Sequence, residues 1–101
     1  GELRMLEVAR QLIRDPDILL LDEPTAGVDP SLQGKLSSIL VDLHNEGRTL
    51  IVVEHNLHFL LSIADVVIVL QNGELLAEGT PNEIKNDQRV ISAYLGDEYA
   101  A

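Results

Sequence analysis

The sequence predicts an α/β fold: a parallel sheet flanked by helices, ending in a β-hairpin and short C-terminal helices. Three observations carry this reading. Apolar runs too short for helices recur at residues 18–21, 49–53 and 66–70. The stretches between them repeat their apolar residues every three to four positions, the period of a helix with one buried face. An Asn-Gly pair then follows the third run at Asn72-Gly73, the dipeptide that closes tight hairpins. Strand, helix, strand, helix, strand is the order of a parallel sheet with right-handed crossovers.

Each element has its own justification. Residues 2–13 read as a helix carrying Met5, Leu6, Ala9, Leu12 and Ile13, and Asp15-Pro16 stops it, because a residue before proline is pushed out of the α region. Residues 18–21 are continuously apolar, which suits a strand covered on both faces, and they end abruptly in Asp22-Glu23-Pro24. Asp29 suits a helix cap and Pro30 the first helical position. Leu32, Leu36, Ile39, Leu40 and Leu43 form the buried stripe of that helix, and Gly47 stops it. The run TLIVV ends in Glu54-His55-Asn56, where Asn56 caps a short helix with Leu57, Phe59, Leu60, Leu61 and Ile63. Residues 66–70 form the third strand and residues 75–78 return antiparallel to it. Thr80-Pro81-Asn82-Glu83 has the form of a capping box with proline at the first helical position. A last amphipathic helix carries Val90, Ile91, Tyr94 and Leu95 and stops at Gly96.

Composition narrows the functional classes. The chain has 101 residues, 46% hydrophobic and 24% charged, which suits one compact domain or a piece of one. A mean hydropathy of +0.11 is too high for a disordered tail. No apolar run approaches the ~18–20 residues that span a bilayer. Without cysteine there is no disulfide scaffold, zinc–thiolate site or cysteine nucleophile. Seven basic against 17 acidic side chains give a formal charge of −10, which argues against a broad basic face for nucleic acid or anionic lipid. The sequence opens on Gly1 with no signal peptide, and reads as a cytoplasmic fragment of something larger.

The chemistry concentrates at strand ends. In open α/β sheets ligands bind beyond the carboxyl ends of the strands. Two runs end there in ionisable residues, Asp22-Glu23 and Glu54-His55. Period-two alternation turns Asp22 and Glu23 different ways, so that one carboxylate can serve a metal while the other faces a reacting water. In nucleoside triphosphatases an acid at a strand tip holds Mg²⁺ against the phosphates. Taken alone, the pair fits a strand ending in solvated acids equally well. His55 and His58 stand three apart and could share a metal, but no third histidine is near and cysteine is absent. His44 reads as a solvated residue, and Arg4, Arg10 and Arg14 as a solvated helix face with partners such as Glu7. Gly34-Lys35 fails as a phosphate loop, since Asp29 stands where its first glycine belongs and Leu36 where Ser or Thr belongs.

The pair is not alone. LLLDEPTAGVDP over residues 19–30, VVEHN over 52–56 and the opening GELRMLEVAR together resemble the C-terminal half of an ATP-binding-cassette (ABC) ATPase, in order and spacing, over essentially the whole chain. The resemblance implies a P-loop NTPase (RecA-like) core. Residues 18–23 match its Walker B strand, residues 26–29 its D-loop and His55 its switch histidine. Gly1-Glu2 resembles the tail of the signature motif, LSGGQ in many members, with glutamate where glutamine is commoner. By resemblance, Asp22 is the Mg²⁺-binding carboxylate, Glu23 the catalytic glutamate acting on the attacking water, and His55 the group that bonds the γ-phosphate. Asp29 is the D-loop acid that crosses the dimer interface, and Gly1 and Glu2 face the partner's ATP. Helix N-termini favour such an anion, and glycine permits its close approach.

The resemblance also implies a division into residues 1–79, the C-terminal part of a nucleotide-binding domain, and residues 80–101, a helical tail. ATP and Mg²⁺ are the implied cofactors. A second ATPase subunit and transmembrane permease subunits are the implied partners, with no nucleic acid, and the implied location is the cytoplasmic face of the cell membrane. GELRMLEVAR, DEPTAGVDP, VVEHNL and EGTPNEIKNDQRVISAYLGDEY are most similar to the branched-chain amino-acid importer ATPases. The lipopolysaccharide-export ATPases are similar at the same places, and a DNA-repair or chromosome-maintenance ATPase head is an alternative from another class. A non-catalytic module descended from an ATPase is a further alternative, against which the intact Asp22, Glu23 and His55 argue. No GxxxxGK[ST] occurs in the chain, so alone it is expected to lack ATP affinity and turnover, and to fold poorly with a sheet edge unpaired.

Overall fold

In a computed structural model the chain is described over residues 2–95, and its side chains over residues 5–94. It divides into two compact units, residues 1–59 and 60–101. The first unit opens with α1 (Glu2–Leu12), followed by β1 (Ile18–Asp22), α2 (Pro30–Asn45) and β2 (Thr49–Val53). β1 and β2 pair in parallel, Ile18 opposite Thr49 through Asp22 opposite Val53, as a strand–helix–strand order requires. Leu19, Leu21, Leu36, Leu40 and Leu43 are buried and form the centre of this unit. α2 ends as its sequence asks. Gly47 takes φ of +97°, the Gly47 amide donates to the His44 carbonyl at 2.9 Å, and the Arg48 amide to the Leu43 carbonyl at 3.2 Å. That is the paired bonding of a Schellman cap. The Arg48 guanidinium then donates to the Pro16 carbonyl at 2.7 Å and to Asp15 Oδ1 at 2.6 Å, fastening the turn between α1 and β1. Its hydrogen bond to Asp15 raises the Arg48 pKa above its ordinary value.

One face of the first sheet is open. Leu19 and Leu21 are buried, but Ile18, Leu20, Ile51 and Val53 are each more than half exposed. The expectation of a strand covered on both faces therefore fails for β1 within this chain. A continuous apolar run records two apolar faces, while only the Leu19 and Leu21 side is covered here. Fully burying such a side chain is worth roughly 1.5–3 kcal/mol, so much of the available stabilisation is not realised here.

α3 (Leu57–Ile63) runs across the boundary between the units. The second unit holds β3 (Val67–Gln71), β4 (Glu74–Gly79), α4 (Pro81–Lys85), α5 (Gln88–Val90) and a π-helical turn, Ile91–Leu95. Asn72 and Gly73 have φ of 52° and 77°, the two positive angles of a type I′ turn, and join β3 to β4. The third strand was expected to extend the parallel ladder, yet among the described residues its ladder partner is β4 alone. A two-residue turn brings that partner at little cost in chain entropy. Val67, Val69, Ala77, Ile84, Val90 and Ile91 are the core of this unit. The capping box forms: the Glu83 amide donates to Thr80 Oγ1 at 3.3 Å and the Thr80 amide to Glu83 Oε1 at 3.1 Å. The final helix is interrupted between Lys85 and Gln88, where Asp87 starts a new turn by accepting from the Arg89 amide at 2.9 Å. The stop expected at Gly96 lies outside the described residues.

Candidate active site

β1 and β2 end side by side, and their tips carry the candidate site. Asp22 is the last residue of β1, opposite Val53. It is exposed on the same face as Ile18 and Leu20. Strand alternation stops there. The Glu23 amide still donates to the Val53 carbonyl at 2.7 Å, but Glu23 itself adopts φ of +48°. The left-handed region costs a non-glycine residue about 1–2 kcal/mol and persists where its surroundings hold it. Here the chain turns at once, with the Ala26 amide donating to the Glu23 carbonyl at 3.0 Å and the Val28 amide to the Thr25 carbonyl at 3.0 Å. The turn swings the Glu23 carboxylate towards β2, where Oε1 lies 3.0 Å from His55 Nε2.

That contact joins two groups the sequence separates by 32 positions, and it is open to water: the His55 side chain is 84% exposed and that of Glu23 43%. An exposed pair of this kind contributes ~0–1 kcal/mol, so the placement adds little to stability. Asn56 caps α3 as its type suggests, Oδ1 accepting from the Phe59 amide at 3.1 Å. Asp29 corrects the sequence reading. It stands at the N-cap of α2 with φ of −60° and ψ of 146°, but its side chain makes no capping bond. The amides of Leu32 and Gln33 donate instead to its carbonyl at 2.9 and 3.1 Å, leaving the carboxylate exposed and unused by the helix. Gly1 lies outside the described residues, as does the side chain of Glu2, whose backbone begins α1.

The donor set fits Mg²⁺ in one limited sense. Among the described residues no three His, Cys, Asp or Glu side chains are grouped to hold a metal. Mg²⁺ commonly binds one or two carboxylates together with phosphates and several waters, and the exposed Asp22 offers one such hard oxygen donor. Sequence reasoning reached Asp22, Glu23 and His55 but gave no role to Glu54, Thr25 and Gln33, which surround them. Glu54 is half-buried and both its carboxylate oxygens are engaged, one by Thr25. The available signal was an acid set immediately before the strand-tip histidine.

Comparison with known proteins decides what this arrangement belongs to. A family model described as branched-chain amino acid ATP-binding cassette transporter matches residues 74–100. The "high-affinity branched-chain amino acid transport ATP-binding protein LivG" of Salmonella typhimurium is 41% identical over 98 residues, covering 96% of this chain and 38% of LivG. The chain belongs to the ABC ATPase family. The "lipopolysaccharide export system ATP-binding protein LptB" of Haemophilus influenzae is 37% identical over 99 residues, 98% of this chain and 41% of LptB. Among solved structures, the ADP conformation of MJ1267, an ATP-binding cassette of an ABC transporter, superposes with a TM-score of 0.82 at 31% identity. The match covers 95% of this chain and 39% of that one. UvrA2 of Deinococcus radiodurans superposes with a TM-score of 0.74 at 32% identity, covering 94% of this chain but 13% of that one. This cassette segment thus spans about two fifths of the length of the curated relatives it matches. These likenesses bear out the α/β class with its parallel pairing and P-loop NTPase ancestry.

Proposed function

We propose that this chain is the hydrolytic part of an ATP-binding subunit of a membrane transporter, of the kind that imports branched-chain amino acids. The observation that carries the reading is the 3.0 Å approach of Glu23 to His55 at the tips of two parallel strands. In this reading residues 1–79 belong to the nucleotide-handling domain and residues 80–101 are its tail. Glu23 accepts a proton from the attacking water. His55 orients that water and donates from Nε2 to the terminal phosphate. One Nε2 hydrogen cannot serve Glu23 and a phosphate together, so His55 must leave Glu23 as nucleotide arrives. Asp22 would hold Mg²⁺, which would supply positive charge against the phosphates of ATP. The need is plain in a chain of formal charge −10, whose strand tips are acidic.

Asp29, with its carboxylate exposed and unbound by α2, reaches to a second ATPase subunit, and Gly1 and Glu2 face that subunit's ATP. Permease subunits complete the assembly and hold it at the cytoplasmic face of the membrane. Among the described residues no helix is long and apolar enough to cross a membrane itself. The similarity to LptB supports a second reading, export of lipopolysaccharide, and a DNA-repair or chromosome-maintenance ATPase head is a third. Identifying the membrane protein that co-purifies with the assembled ATPase separates all three.

The test of the site is a separation of roles. Asp22→Asn weakens Mg²⁺-dependent ATP binding and turnover together in the assembled ATPase, while His55→Ala slows hydrolysis with a milder loss of binding. Unchanged Mg²⁺ dependence in Asp22→Asn would remove Asp22 from the metal. The 101-residue chain alone is expected to give no ATP turnover above its own Glu23→Gln control, and a measured rate above that control would overturn this.

A further inference from the structure

The two turns that carry Glu23 and His55 are bridged by the side chain of Glu54. Glu54 Oε2 accepts from the Thr25 amide at 3.1 Å and from Thr25 Oγ1 at 2.8 Å. Its other oxygen, Oε1, accepts from the amides of His55 at 3.2 Å and Asn56 at 3.3 Å. Thr25 is buried, at 7% exposure, and lies two residues after Glu23. One carboxylate therefore holds the backbone on both sides of the candidate dyad, with four donors on its two oxygens. Hydrogen bonds to an ionised acceptor are the stronger kind, and these define the spacing between the turns.

A second strut runs beside the first. Asn56 Nδ2 donates to Gln33 Oε1 at 3.2 Å, and Gln33 Nε2 donates to the Val28 carbonyl at 3.2 Å. Since Asn56 Oδ1 is already held by the Phe59 amide, both amide groups have one self-consistent orientation. The residue after His55 is thereby tied to the residue before Asp29. The turn bearing Glu23 and the turn bearing His55 are joined at both ends by side chains from positions 23 and 29 residues apart in sequence.

We propose that Glu54 is a positioning residue for hydrolysis, setting the separation of Glu23 and His55 by clamping Thr25 to the His55–Asn56 turn, with Asn56 and Gln33 as an auxiliary strut. The proposal rests on the hydrolytic reading of Glu23 and His55 given above. Its chemistry is specific to a carboxylate. In Glu54→Gln one acceptor oxygen becomes an NH₂ donor, and whichever way the amide turns, either the Thr25 pair or the His55–Asn56 pair faces a donor in place of an acceptor. Misplacing reacting groups by about 1 Å costs on the order of 10²-fold in rate, without any change in nucleotide contacts.

The experiment measures kcat and KM for ATP in the assembled ATPase, with ¹⁵N spectra of the histidine side chains recorded alongside. Glu54→Gln is expected to lower kcat about 10- to 100-fold with KM within about twofold, and to move the His55 resonances but not those of His44. Thr25→Val, which lacks the hydroxyl donor, should lose kcat in the same way, and Thr25→Ser should restore it. If Glu54→Gln does not fold, the Thr25 pair decides by the same comparison. Normal kcat in Glu54→Gln, or equal kcat in Thr25→Val and Thr25→Ser, overturns the proposal, as does a loss of stability with unmoved His55 resonances. A Glu23→Gln control separates the two claims: if it too turns over normally, the hydrolytic reading itself has failed.

Discussion

The two units of this chain differ in where their side-chain hydrogen bonds lead. The second has a distant bond, from the Tyr94 hydroxyl to the Leu70 carbonyl, beside local ones: Thr80 with Glu83, Asp87 with Arg89, Asn82 with Asn86. The local ones start and stop short helices. In the first unit the contacts around the strand tips are distant in sequence, Thr25 with Glu54 and Gln33 with Asn56. They surround a glutamate held at φ of +48° and an exposed histidine. Local bonds shape a chain, whereas distant bonds bring together groups that no single element could. In the first unit the distant bonds join two strand tips around a carboxylate and an imidazole.

Three changes would break or sharpen this contrast. The largest is Leu40→Ala, at a side chain with no exposed surface in the middle of α2. It should cost about 2–5 kcal/mol in urea unfolding, and because α2 packs against β2 it should loosen the strand-tip contacts with it. Thr80→Ala should cost only about 1 kcal/mol, loosening α4 while leaving the His55 environment untouched. An altered His55 environment in that variant would contradict this expectation.

The smallest effect is a pH dependence in the second unit. The bond from the Thr80 backbone, then that from its side chain, holds Glu83 below the ordinary carboxyl value of 4.5. A depressed carboxylate stabilises above its unfolded pKa and loses that contribution as pH falls through the folded one. Between neutral pH and pH 5 the cap should be fully present, and it should fade below 4.5. The protection of the Ile84 amide, its exchange rate relative to the intrinsic rate at the same pH, should therefore fall on acidification in the wild type, and much less so in Glu83→Gln.

Much of the fold was legible because its signals are local. Asn72-Gly73 demanded two positive φ angles, Gly47 offered a left-handed stop, Thr80 and Glu83 had capping-box spacing, and each does in the structure what its side chain favours. Asp22, Glu23 and His55 were legible for a related reason: acids and a histidine at the ends of short apolar runs are unusual enough to mark strand tips. What stayed hidden was non-local. Periodicity could not tell that β1 is covered on one face only, since Ile18 and Leu20 look as apolar as Leu19 and Leu21. Nor could it tell that β3 would take its partner from the hairpin. The carboxylate of Asp29 suited a cap that its own carbonyl supplied. Glu54 met Thr25 across 29 positions, a pairing no window of sequence contains.

The central claim is that the strand-tip carboxylate of Glu23 takes the proton from the attacking water. The most direct measurement is ATP turnover and bound nucleotide in the assembled ATPase carrying Glu23→Gln, a change that keeps size and most hydrogen bonding but removes the proton acceptor. Loss of a positioned base costs ~10²–10⁴-fold, or roughly 3–5 kcal/mol of barrier. The account predicts a fall of that size with ATP and Mg²⁺ still bound, trapping the subunit pair in its ATP-loaded state. Turnover near the wild-type rate would contradict it and reduce Glu23 to a solvated carboxylate at the end of a strand.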